Sequence, residues 1–153
     1  MPTLSPYNAF TRHQYTRGNI AILTAAVETA GFAIPAWLTA MEVEKLGGKI
    51  RDGELGRQIY FAGRFHPQRR ADDEEEEGHQ SKFHKDFTVY NLEQCEFSDG
   101  VYSHLRDVKR CFTHFADLTE RECEFVKSLS RRPYPLSDKQ RSWLNVILAR
   151  LPE

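Results

Sequence analysis

The chain is poor in the residues and motifs that carry covalent or metal chemistry. Its three cysteines, Cys95, Cys111 and Cys123, are odd in number and widely spaced, which argues against a disulfide framework and for buried, reduced thiols. G-x-S-x-G, H-E-x-x-H, G-x-x-x-x-G-K and C-x-x-C are all missing. The sequence therefore offers no nucleophile elbow, zincin helix, phosphate loop or redox pair. Cys111 and His114 stand one helical turn apart, and His79 and His84 are near each other, but neither pair has the further ligands of a closed zinc site. No metal or cofactor is expected. No apolar run approaches the roughly 20 residues that cross a bilayer as a helix. The first residues also lack the charged-then-apolar order of a secretory signal. The expected compartment is the cytoplasm, with no membrane partner.

What is present suits one ordinary folded domain, with at most a small appendage. Hydrophobic residues make up 40% of the 153, including ten Phe, six Tyr and two Trp, and charged residues 28%. The net charge of −1 hides an uneven distribution. Residues 1–71 hold nine Lys and Arg against five Asp and Glu, residues 72–77 are DDEEEE, and residues 78–153 hold twelve basic against eleven acidic. The acidic run masks a basic N-terminal half, so whole-chain charge is a poor guide to what that half binds.

Residues 37–56, WLTAMEVEKLGGKIRDGELG, organise the reading. Thr39 and Glu42 form a capping box, flanked by Leu38 and Val43 as a hydrophobic staple, so a short helix starts at Ala40. Gly47 supplies the positive φ that closes it. Residues 49–51 then read as a strand, Asp52-Gly53 as a turn, and residues from Arg57 as a second strand. Residues 8–19 read as a surface loop, followed by a helix capped by Asn19, with Ile20, Leu23, Val27 and Ala30 inward and Gly31 as its stop. Residues 83–95 alternate with period two and pair antiparallel with the strand at Ile59. Beyond Asp99 the period becomes helical through Val101, Leu105, Val108, Phe112 and Phe115. Thr119 with Glu122 and Ser137 with Gln140 are two more capping boxes, Arg132-Pro133-Tyr134-Pro135 is a break, and Trp143, Leu144, Ile147, Leu148 and Leu151 form a last stripe. The expected class is α+β: a small antiparallel sheet of strands 49–51, 57–65 and 83–92 packed with N-terminal helices, then a helical segment. Two units are expected, residues 1–97 and 98–153, the second packed on the first.

Basic residues beside glycines and aromatic rings are what a groove for single-stranded nucleic acid uses, with cations for phosphates and rings for bases. Arg12, Arg17, Lys49, Arg51 and Arg57 are the phosphate candidates. Trp37 reads either as core or as a stacking face, and Tyr15, Tyr60 and Tyr90 share that ambiguity.

Several spaced matches carry a resemblance: Asn8, Thr11, Tyr15 and Arg17-Gly18-Asn19; Pro35-x-Trp37-Leu38-Thr39; Gly47-Gly48-x-Ile50-Arg51-x-Gly53-Glu54-x-Gly56; and 89–95, VYNLEQC. Over about residues 5–97 the sequence resembles the N-terminal domain of the ArdC antirestriction family. The resemblance implies an α+β fold and non-enzymatic, largely sequence-independent binding of single-stranded DNA, in proteins of plasmids and phages. Asp52 and Leu55 stand where relatives commonly have lysine, so the turn carries less positive charge than the family pattern. The peptidase activity of larger relatives is not implied, because H-E-x-x-H is missing. The expected groove lies between residues 12–19, the helix start at 37–39 and a hairpin at 49–57. Arg12, Arg17, Lys49, Arg51 and Arg57 meet phosphates there and Trp37 or Tyr90 meets bases, with Thr39 at the helix start, while Asn19 and Gln94 hold the backbone. A rival reading is a protein-interaction module or DNA-mimic inhibitor, acting through residues 72–77 and an exposed stripe of Trp143, Leu144 and Ile147 that meets a protein partner.

Overall fold

The computed structural model describes residues 5–15, 18–63 and 83–152. The fold is α+β: among the described residues five helices surround a four-stranded sheet and a two-stranded one. The chain runs β1 (Tyr7–Asn8), α1 (Gly18–Ala30), β2 (Ala36–Thr39), α2 (Ala40–Lys45), β3 (Gly48–Ile50), β4 (Arg57–Gly63), β5 (Phe83–Asn91) and β6 (Cys95–Phe97). Helices α3 (Leu105–Thr113), α4 (Glu120–Ser130) and α5 (Asp138–Arg150) follow. Short 3-10 turns at Leu92–Gln94 and Phe115–Asp117 complete the order.

The local signals hold where they are most local. All three capping boxes form, with Glu42, Glu122 and Gln140 each reaching back to the amide of its cap residue at 2.9 Å. Gly47 closes α2 at φ 80°. The strand pairing is less simple than the expected single hairpin sheet. The larger sheet has the order β1-β2-β5-β4, with β1 parallel to β2 and the other pairs antiparallel. β3 leaves this sheet and pairs with β6, so the hairpin expected at 49–57 does not form. Two contacts explain the divergence. A Cβ on Gly48 would lie 2.6 Å from the Phe97 ring, so only glycine lets β3 close on β6. Asn91 ends β5 with a box of its own: its side chain accepts the Glu93 amide at 2.9 Å, and Gln94 accepts the Asn91 amide at 2.7 Å. The strand read through residue 95 therefore turns at Leu92 and returns along β3. The expected strand 57–65 is seen to Gly63, and its last two positions lie outside the described residues.

Asn19 also departs from expectation. It sits inside α1 and pairs with the backbone of β4: its Nδ2 donates to Tyr60 O at 2.8 Å, and its Oδ1 accepts Tyr60 N at 3.0 Å. It fastens the helix to the sheet edge. Of the expected inward face, Leu23 is buried whereas Ala30 is exposed, and Ala26 takes the inward place.

The sheet divides the core. Successive strand residues point to opposite faces, so Trp37 packs under α1 with Leu23, Ala26, Ile59 and Val89, while Leu38 enters the larger cluster with Leu92, Val108, Leu129, Leu144 and Ile147. The C-terminal helices thus share a core with β1 and β2. Polar bonds reinforce the junction: Tyr7 Oη bonds Ser130 Oγ, Tyr102 Oη donates to Ser130 O at 2.8 Å, and buried His104 meets Leu129 O through Nε2 at 3.0 Å. The stripe on α5 belongs to this core. Leu144 and Ile147 are fully buried, leaving Trp143 partly exposed in a stack on Phe125.

Candidate nucleic-acid interface

The segment 8–15, expected as a surface loop, is built around a buried residue. Asn8 is only 7% exposed and uses nearly all its bonding capacity. Its Oδ1 accepts the amides of Phe10 and Thr11, both at 2.7 Å, and its Nδ2 donates to Glu42 Oε1 at 2.9 Å and to Tyr15 Oη at 3.3 Å. Its backbone closes the turn, accepting from Arg12 N and donating to His13 O, each at 2.8 Å. The turn places Arg12 in the left-handed region at φ 72°, with its side chain exposed. Asn suits such a hub because a short amide can bond its own backbone neighbours.

Facing this loop is the α1-side face of the sheet. Direct partners across strands share a face, so the registers Arg57↔Val89, Thr39↔Val89 and Ile59↔Phe87 put Arg57, Val89, Thr39, Ile59 and Phe87 on one surface. Between loop and sheet lies a cleft of about 330 Å³. Ile59, Phe87, Val89 and Thr39 form its floor, and Asn8, Thr11, His13, Gln14, Tyr15 and Glu42 form its wall. The volume sits at the low end of ligand pockets, roughly 300–1,000 Å³. Burial pushes the Tyr15 phenol up to about 12, with the Glu42 carboxylate adding to the rise and the Asn8 amide opposing it. Tyr15 is therefore a neutral, fixed ring at physiological pH. The cleft offers apolar and aromatic surface for a flat ring, with amide, imidazole and hydroxyl groups at its edge. Among the described residues no three His, Cys, Asp or Glu side chains group as metal ligands.

The residues proposed from sequence divide. Thr39 lines the cleft while its hydroxyl caps α2. Arg57 stands on the floor's face; Arg12 lies between two lining residues in the sequence but does not itself line the cleft. Arg51 and Arg57 bracket residues 52–56. Arg51 bonds Glu93 O, Arg57 reaches Leu55 O at 3.5 Å, and Gln94 holds the middle through Leu55 O at 2.9 Å. Lys49 points from the second sheet and pairs with Glu96 at 3.6 Å. Arg17 and the run 72–77 lie outside the described residues. Trp37 is fully buried, with Phe32 edge-on at 6.0 Å between ring centres, so no base can stack on it. Tyr90 alternates with Val89 and faces the other side of the sheet, beside Gly56. Asn19 is committed to Tyr60. The rings that line the cleft are Tyr15 and Phe87, with the His13 imidazole beside them. The period-two pattern had already placed Phe87 and Val89 on one side of β5; the loop opposite was the missing half.

Of the stripe that would favour the protein-interaction reading, Leu144 and Ile147 are core, and only Trp143, stacked on Phe125, reaches the surface.

Comparison with known proteins gives one family match: the N-terminal domain of anti-restriction factor ArdC, over residues 1–90. Two crystal structures of the antirestriction ArdC protein from the R388 plasmid, Mn(II)-bound and metal-free, are similar to the chain at 19% and 21% identity, with TM-scores of 0.47 and 0.48. Each covers 73% of this chain, which spans 45% and 42% of theirs, less than half their length. No curated protein matches it.

Proposed function

Because the chain belongs to the family of the N-terminal domain of anti-restriction factor ArdC, we propose that it binds single-stranded DNA without enzymatic chemistry and largely without sequence preference, in the antirestriction biology of a mobile genetic element. The observation that carries this reading is the cleft between the 8–15 loop and the sheet, where the rings of Tyr15 and Phe87 meet apolar floor on the face that carries Arg57, with Arg12 exposed in the same loop as Tyr15. A base entering it stacks and is desolvated, and the flanking guanidinium groups meet the phosphates on either side. Every base has a flat face, so stacking of this kind tolerates any sequence. Duplex DNA keeps its bases stacked on each other and cannot present one to so small a cleft.

The test is fluorescence anisotropy of labelled single-stranded and duplex oligonucleotides over a salt series. The expected result is tighter binding of the single strand, with log K falling linearly against log salt by about 0.7 per phosphate contact. Equal affinity for duplex, or binding indifferent to salt, refutes the reading.

A further inference from the structure

The cleft has a neighbour. Gln14, which lines it, is also a wall of a polar pocket of about 250 Å³ whose other sides are Ser5, Tyr7, Glu124, Lys127 and Arg131. Three of these residues come from α4 and its C-terminal cap, beyond the residues matched by the family. At spacings of three and four they fall on one helix face. Arg131 is fixed from two directions: its guanidinium lies 5.2 Å from the centre of the Tyr7 ring, and its Nε donates to Lys127 O at 3.2 Å. Its terminal nitrogens make no hydrogen bond among the described residues. A planar cation held this way presents a ready fork to an oxyanion. Lys127 Nζ is paired with Glu124 Oε1 at 3.1 Å, but that carboxylate is 65% exposed and the pair is weak. Two cations thus face one competing carboxylate.

We propose that this pocket is a second subsite of the same track, in which Arg131 and Lys127 take a phosphodiester of the strand whose base fills the cleft, the strand passing over Gln14. The inference rests on the single-stranded DNA reading of the cleft and adds that the C-terminal helices contribute to it. Glu124 keeps the subsite weak by holding Lys127.

The experiment uses the full chain and oligothymidylates of about 4 to about 16 nucleotides, the span of sites found in compact single-strand binders. Arg131→Ala is expected to weaken the long oligonucleotides about fivefold near 0.1 M salt, to lower the salt slope by about 0.7, and to leave the shortest unchanged. Arg131→Lys recovers part of the loss. Glu124→Gln is expected to tighten the long oligonucleotides and steepen the slope, a gain that damage to the fold would not produce. If Arg131→Ala and Glu124→Gln both bind every length as wild type does, the subsite is wrong while the cleft stands. If wild type binds no oligonucleotide, the cleft reading fails and this one with it. Inorganic phosphate is the control: if Arg131→Ala abolishes its binding but shifts short and long oligonucleotides equally, the pocket is a free-anion site and the proposal is overturned.

Discussion

Arg12 allows binding and folding to be separated at one position, because its side chain and its backbone do different things. The side chain is exposed, while the main chain sits at φ 72° with its amide bonded to Asn8 O at 2.8 Å. A non-glycine residue in the left-handed region costs about 1 kcal/mol or slightly more. Arg12→Gly removes that cost but adds about 0.5–1 kcal/mol of unfolded-state entropy, so the two nearly cancel. Arg12→Ala keeps the strain, and is expected to melt within about 2 °C of the glycine variant at the usual scaling for a chain of this size. Both variants delete the same charge. If Arg12 meets one phosphate, each loses about 0.7 from the salt slope, about fivefold in affinity at 0.1 M salt when extrapolated from a common value at 1 M. The assays are thermal melting by circular dichroism and anisotropy over a salt series. Glycine and alanine variants that bind with the wild-type slope remove Arg12 from the interface. An alanine variant that melts about 3 °C or more above the glycine one, the full entropy advantage with no strain to offset it, refutes the left-handed turn.

Other expectations come from the same geometry. Phe87→Leu keeps apolar volume in the floor and removes the ring, so single-strand affinity falls about tenfold or more, the worth of one stacked base; anisotropy with a melting control measures it, and wild-type affinity sinks the stacking role. Thr119→Ala breaks an exposed capping box in which Glu122 N bonds the threonine hydroxyl at 3.2 Å, and lowers stability by about 1 kcal/mol in urea unfolding, with binding unchanged. Burial holds the Tyr15 and Tyr7 phenols at about 12 against their ordinary 10.0. The folded state keeps those protons after the unfolded state has lost them. Their contribution is therefore whole below pH 10 and is lost as pH rises towards 12, at a limiting slope of about 1.4 kcal/mol per pH unit for each group. Tyr15→Phe is expected to flatten the fall in melting temperature over that window. Tyrosinate absorbance in which all six tyrosines of the folded chain titrate near 10 would contradict it.

The parts of this fold that were legible in the sequence are those whose causes lie within four residues. A capping box needs Thr39 and Glu42 three apart, Gly47 marks its own φ, and Phe87 and Val89 declare a shared face by alternation. What stayed illegible depends on partners far along the chain. β1 is two residues long and exists because Tyr7 and Asn8 lie beside Ala36 and Trp37, and nothing in their neighbourhood announces a strand. Lys49, Arg51 and Arg57 read as one hairpin, because no local rule says that Gly48 will meet Phe97. Surface cations are the hardest case, since no packing fixes them and their spacing carries no period. Glu42 shows where the two kinds of information meet. One of its carboxylate oxygens closes the box on Thr39 N, a bond visible from spacing alone, and the same oxygen receives the Asn8 amide from the wall of the cleft. Floor and wall are therefore tied through a single carboxylate. The residue that starts the helix also sets the width of the cleft, so the cap is part of the site.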